Sequence, residues 1–194
     1  MFIRSIWILA FFVVISGCVP TQEDTPVPRI YDSLEYKANV SRLLGDGGKN
    51  TEDQYGTIAS DIIWKDSAGT ERSLKALSGK VVVLNMWAAW CEPCREEMPD
   101  LQQLANDYKD NDVYVIGISI DRAREPFRSV LEFARDYSVN YQLILDSAAT
   151  AYINYGGTGD IPKTYIIGRD GYIQYTFTGK ATKSTLDEAI QSVL

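Results

Sequence analysis

The apolar run Val81-Val82-Val83-Leu84-Asn85-Met86 is followed closely by Trp90-Cys91-Glu92-Pro93-Cys94. A run of this kind reads as a strand buried on both faces, in a sheet covered by helices on either side. Beyond it, Met98, Leu101, Leu104, Ala105 and Tyr108 recur at helical spacing, so Glu92 to Tyr108 is predicted as an amphipathic helix. The chain is thereby constrained to an α/β arrangement in which two thiols sit where a strand hands over to a helix. Unpaired N–H groups and the helix dipole favour a negative sulfur at that point. Cys91 is the expected nucleophile, and Cys94, one turn further in, is the expected resolving thiol of a reversible disulfide. Pro93 suits the first helical turn, and Pro99 is expected to kink the helix.

The elements around this core follow from periodicity. Ile58 to Trp64 and Thr70 to Ser73 suggest an N-terminal β-hairpin across a polar loop, and Leu74 to Leu77 a helical turn closed by Gly79. Val113 to Ile120 is a second buried strand. Pro126 to Tyr137 is a helix with Phe127, Val130, Leu131, Ala134 and Tyr137 inward. Gln142 to Leu145 is a short strand, and Ala148 to Tyr155 a short helix ended by Gly156-Gly157. Lys163 to Ile167 and Tyr172 to Phe177 form a hairpin, and Thr182 to Leu194 closes the chain as a helix. The order β-α-β-α-β-α-β-β-α predicts a central mixed sheet flanked by helices.

Composition narrows the chemistry. The 194 residues contain no histidine, which removes Ser/His/Asp and Cys/His sites and nearly all zinc enzymes. No metal site and no cofactor is expected. With a net charge of −7 and no basic block, the chain is not expected to bind nucleic acid. The third cysteine, Cys18, ends an N-terminal stretch with Arg4 early, an apolar run from Ile6 to Ile15, and then Ser16-Gly17. Residues 1–17 therefore read as a signal peptide. Residues 18–55, rich in Pro, Gly, Asp, Asn and Thr, read as a flexible tether, interrupted by a short helix within Tyr31 to Leu44. Residues 56–194 are the folded domain.

The segment ending in Cys18 resembles the lipobox of bacterial lipoproteins, which implies that Cys18 is lipidated and holds the protein to a membrane. The folded part resembles the TlpA/ResA-type membrane-tethered thiol:disulfide oxidoreductases of thioredoxin fold. The residues that carry this are Val81 to Trp87 leading into Trp90 to Pro99, then Gly159-Asp160-Ile161-Pro162-Lys163-Thr164-Tyr165-Ile166-Ile167, then Asp170-Gly171. The resemblance implies a cis Ile161–Pro162 bond facing the disulfide, with a backbone that pairs with an incoming substrate segment. Trp90, Pro93 and Ile161 then form an apolar contact platform.

The chain departs from thioredoxin at two positions. Asn85 stands where thioredoxin has a buried aspartate, six residues before the first active cysteine. Glu97, three residues after Cys94, is the carboxylate that TlpA/ResA-type proteins also carry, and it could exchange a proton with the resolving thiol. An exposed glutamate beside Glu96 is the alternative. Trp87 reads as core, Asp121 to Arg124 as a plain loop, and the six tyrosines from Tyr137 to Tyr172 as half-buried packing.

With no histidine between the cysteines and with Glu92 beside Cys91, the couple is expected to be reducing. The implied setting is a monomer in the cell envelope, lipid-anchored on the extracytoplasmic (periplasmic) side. Its implied partners are a membrane electron donor and oxidised envelope proteins, for example apocytochrome c haem-site cysteines. Two alternatives stand beside this. A peroxiredoxin-like thiol peroxidase would place a threonine where Ala88 is; a non-enzymatic binding or metal-delivery lipoprotein on the same scaffold would use CxxxC spacing with a histidine.

Overall fold

A computed structural model of the chain describes residues 30–31, 34–35, 56–66 and 69–194. Its elements in chain order are β1 (Ile30–Tyr31), β2 (Leu34–Glu35), β3 (Ile63–Lys65), β4 (Glu71–Ser73), β5 (Val81–Trp87), α1 (Glu92–Asp107), β6 (Val113–Ser119), α2 (Pro126–Asp136), β7 (Gln142–Leu145), α3 (Thr150–Asn154), β8 (Lys163–Ile167), β9 (Ile173–Thr178) and α4 (Lys183–Gln191). The main sheet has the order β1-β7-β6-β5-β8-β9, and a small second sheet the order β2-β3-β4. Strand β5 runs parallel to β6 and antiparallel to β8, so the sheet is mixed, as expected.

All seven residues of β5 are buried, and their alternation divides the core. Val81, Val83 and Trp87 face an apolar cluster that takes Leu101 and Leu104 from α1, Val130 and Phe133 from α2, and Leu186 and Ile190 from α4. Val82, Leu84 and Met86 face a second cluster with Ile62, Trp64, Tyr152 and Tyr165. Asn85 shares the parity of the first set, so this polar side chain points under α1. Within β6, between β5 and β7, Gly117 is tightly enclosed: a Cβ there would meet Leu143 Cδ2 at 2.6 Å.

Several boundaries differ from the sequence reading. The first strand of the hairpin is Ile63–Lys65, not a strand from Ile58; Ile58 makes one isolated bridge to Tyr172 and is 69% exposed. Helix α3 starts at Thr150 because Asp146 at the end of β7 accepts its first N–H groups. Helix α1 runs from Glu92 to Asp107 with Pro99 inside it. Within the segment read as a tether, Ile30–Tyr31 pairs with β7 and Leu34–Glu35 with β3, so the sheets take in residues ahead of the expected boundary at 56. Tyr31, Leu34 and Glu35 are strand where a helix was expected; residues 36–44 of that expected helix lie outside the described residues. The signal segment, Cys18 and the rest of 18–55 lie outside the described residues. Among the described residues, no helix is long and apolar enough to cross a membrane.

Candidate active site

Strand β5 ends at Trp87, and the chain turns through Ala88, Ala89 and Trp90 into α1. The turn is closed by Cys91 N–H donating to Ala88 C=O (3.1 Å). It is also fixed from β6: Asp121 Oδ2 accepts the Ala89 N–H (2.9 Å) and the Ser119 hydroxyl (2.7 Å), and Asp121 is 1% exposed. The residue read as part of a plain loop thus holds the turn that presents the cysteines. No local signal marks it, because its partner Ala89 lies thirty-two residues earlier.

Cys91 is the N-cap of α1, and Pro93 occupies its first turn. Cys91 and Cys94 are joined as a disulfide with their Cα atoms 5.3 Å apart. Cys91 Sγ accepts the Cys94 N–H (3.3 Å), one of the unpaired groups of the helix start. The same sulfur lies 3.7 Å from the Ile161 carbonyl oxygen. These contacts oppose one another in the reduced form, since the N–H favours a thiolate and the carbonyl oxygen favours a thiol. Glu92 is exposed and paired with Arg95 at 3.3 Å, which offsets part of its charge.

The Ile161–Pro162 bond is cis, as the resemblance implied. Pro162 is buried and Ile161 half-buried, with the Ile161 carbonyl turned to Cys91. Trp90 is 66% exposed beside the disulfide, whereas Trp87 is fully buried against Phe133, their ring centroids 4.7 Å apart.

Glu97 is 0% exposed, so the reading of an exposed glutamate is excluded. It lies one helical turn from Cys94, itself 1% exposed, on the same face of α1. Its Oε1 accepts the Ala181 N–H (3.0 Å), just ahead of α4, and its Oε2 accepts from Asn85 Nδ2 (3.1 Å). Asn85 Nδ2 also donates to Thr164 Oγ1 (2.9 Å), two residues after Pro162. Loss of hydration raises the Glu97 carboxyl to about 7, against the lowering effect of the Ala181 and Asn85 hydrogen bonds. A carboxyl titrating near neutrality beside a buried thiol can take up or return a proton under ordinary conditions.

The tyrosines are more specific than half-buried packing. Tyr141, Tyr152, Tyr155 and Tyr165 are all buried, and their hydroxyls meet Met98, Asp160, Ser60 and Tyr155 respectively; Tyr137 is half-buried and Tyr172 exposed.

A model described as the AhpC/TSA family matches residues 55–176. Thiol-disulfide oxidoreductase ResA of Geobacillus kaustophilus (strain HTA426) is 30% identical over 138 residues, 71% of this chain and 77% of the relative. The thioredoxin-like protein YneN of Bacillus subtilis (strain 168) is 33% identical over 138 residues, 71% of this chain and 79% of the relative. The chain belongs to the AhpC/TSA family, as a ResA-like thiol-disulfide oxidoreductase. Solved structures share the fold of this ResA-like chain. The thioredoxin-family thiol:disulfide interchange protein of Chlorobium tepidum TLS superposes with a TM-score of 0.62 at 24% identity, covering 73% of this chain and 98% of that one. StoA of Bacillus subtilis gives a TM-score of 0.59 at 22% identity, covering 69% and 98%. Ala88, three residues before Cys91, is buried and brings no hydroxyl to the sulfur of this ResA-like site.

Proposed function

We infer that the protein reduces disulfides of envelope proteins, with Cys91 as nucleophile, Cys94 as resolving thiol and Glu97 as proton acceptor for Cys94. In the forward direction the reduced Cys91 thiolate attacks one sulfur of a substrate disulfide, forming a mixed disulfide. The other substrate sulfur leaves and takes a proton. Cys94 then gives its proton to Glu97 and attacks Cys91 Sγ, which expels the second substrate sulfur as a thiolate, and that sulfur takes the proton back from Glu97. The protein becomes the Cys91–Cys94 disulfide, and two electrons and two protons have passed to the substrate. A dithiol donor reverses the balance for the next cycle.

The observation that carries this reading is the buried Glu97 carboxyl, raised to about 7, one turn below the shielded Cys94. A base of this kind is useful where the second thiol must lose a proton inside an apolar site. The reducing direction is supported by the Ile161 carbonyl 3.7 Å from Cys91 Sγ and by Glu92, both of which disfavour the thiolate. An oxidant needs that thiolate strongly stabilised.

Lipidation at Cys18 would hold the domain at a membrane through the residues ahead of β1, where a membrane electron donor meets it at high effective concentration. The family resemblance supports an envelope location and suggests apocytochrome c haem-site cysteines as the substrate pair. Trp90, Pro93, Ile161 and Pro162 form the surface against which such a segment would lie.

A redox titration of the full chain against dithiothreitol tests the direction. The expected potential lies near thioredoxin, about −270 mV, and away from strong oxidants at about −120 mV. A value near the latter would reverse the direction while leaving the site intact.

A further inference from the structure

Tyr152 lies in α3, away from the sulfur chemistry, and is 5% exposed. Its hydroxyl, ring and carbonyl all meet loop 156–160, the segment that leads into Ile161–Pro162. The hydroxyl accepts the Gly159 N–H (2.7 Å) and donates to the Asp160 carbonyl (3.3 Å). The ring lies under Gly157 so closely that a Cβ there would fall 2.4 Å from it, and the Gly157 N–H donates to the Tyr152 carbonyl (2.9 Å). Gly159 has φ +124°, a conformation that glycine adopts freely, so its N–H turns inward to the phenol.

Tyr152 is in turn referenced to the sheet. Asp146, at the end of β7, accepts the Thr150 N–H (2.8 Å) and the Tyr152 N–H (3.2 Å), and its own N–H donates to the Ser119 carbonyl (2.7 Å). On the far side of the loop, Lys163 Nζ reaches the Gly156 carbonyl (3.5 Å). The chain from Asp146 through Tyr152 to Asp160 ends one residue before the carbonyl that faces Cys91 Sγ.

We propose that Tyr152 is a positioning residue for polypeptide substrates: it fixes the height and angle of the Ile161 backbone, which a bound peptide uses and a small disulfide does not. This rests on the reading that substrate segments pair with the Ile161 backbone. A loop of glycines and short polar residues has little packing of its own, so a single phenol that satisfies one N–H and one carbonyl within it restricts its orientation. Freed from it, the loop would sample orientations in which the substrate hydrogen bond is not made. The sulfurs, held by the Asp121 turn and α1, would be unaffected.

The test uses two probes with the reduced full chain: a nine-residue peptide whose central cysteine is a mixed disulfide with thionitrobenzoate, and cysteine–thionitrobenzoate alone. Release of thionitrobenzoate gives a second-order rate constant for each. Wild type should react faster with the peptide. Tyr152→Phe should lower the peptide-to-cysteine rate ratio about fivefold, the worth of roughly one hydrogen bond of ~1 kcal/mol. Its rate with cysteine–thionitrobenzoate and its redox potential should stay as in wild type. Gly157→Ala, which displaces the ring but keeps the hydroxyl, should move the ratio the same way. A wild-type preference for the peptide that survives both substitutions, or a parallel fall of both rates, would overturn the role of Tyr152. A wild-type ratio near one would instead sink the backbone-pairing reading, and the proposal with it.

Discussion

Replacing Glu97 by Gln isolates the consequence of burying a carboxyl at the resolving thiol. The group moves from an ordinary value of 4.5 to about 7 on folding, chiefly through loss of hydration. Between those values the native state binds more protons than the unfolded chain, so stability falls as pH rises. The contribution of protonated Glu97 is fully present below about 4.5 and is lost as pH rises through about 7. At 1.36 kcal/mol per pKa unit, the loss across that window is about 3 kcal/mol. Gln cannot ionise, so the variant should lack this slope. It also brings an amide NH₂ into a pocket where Ala181 N–H and Asn85 Nδ2 both donate, which costs one hydrogen bond, ~1 kcal/mol and independent of pH. Urea unfolding of both oxidised proteins from pH 4.5 to 8 measures the difference. Wild type should be the more stable at the acid end and lose that advantage, or reverse it, by pH 8. A wild-type-minus-variant difference constant to within 0.5 kcal/mol, the scale on which independent effects are resolved, would refute the titration of Glu97.

Asn85→Asp would set a second carboxyl about 3.1 Å from Glu97 Oε2, and two such groups cannot both ionise there. The pair should titrate in two steps, the upper one above the single step of wild type; carboxyl NMR shifts followed against pH would show it, and one unchanged step near 7 would contradict it. Asp121→Ala leaves the Ala89 N–H and the Ser119 hydroxyl without their acceptor, and should cost about 1–3 kcal/mol in urea unfolding. A loss below about 0.5 kcal/mol would mean that Asp121 does not hold the cysteine turn.

The parts of this fold that can be read from sequence are those whose signal is local. Val81 to Trp87 and Val113 to Ser119 declare themselves because both faces of each strand must be apolar. The helix after Cys91 declares itself by the spacing of Met98, Leu101 and Leu104. Ile58 misled because a β-branched residue scores as strand wherever it stands, and here one bridge to Tyr172 leaves it exposed. Ile30–Tyr31 and Leu34–Glu35 sit where the local spacing reads as a short helix, and their pairing comes from strands about thirty to more than one hundred residues away.

The site divides in the same way. Cys91, Cys94 and Glu97 were legible from spacing along one helix. Pro162 and Ile161 became legible through the family resemblance, since nothing near them in sequence connects them to the cysteines. Asp121, Asp146 and Tyr152 were not legible as site residues. Each works through main-chain groups, such as Ala89 N–H or Gly159 N–H, and a hydrogen bond to the backbone leaves no mark on the identity of the residue that makes it.

The division of labour between the two sulfurs is most directly tested by covalent capture. A full-length Cys94→Ala protein, reduced and then exposed to oxidised envelope proteins, should accumulate as a mixed disulfide through Cys91 that dithiothreitol releases, while Cys91→Ala should accumulate none. Equal capture by the two variants, or capture by neither, would contradict attack by Cys91 and release by Cys94.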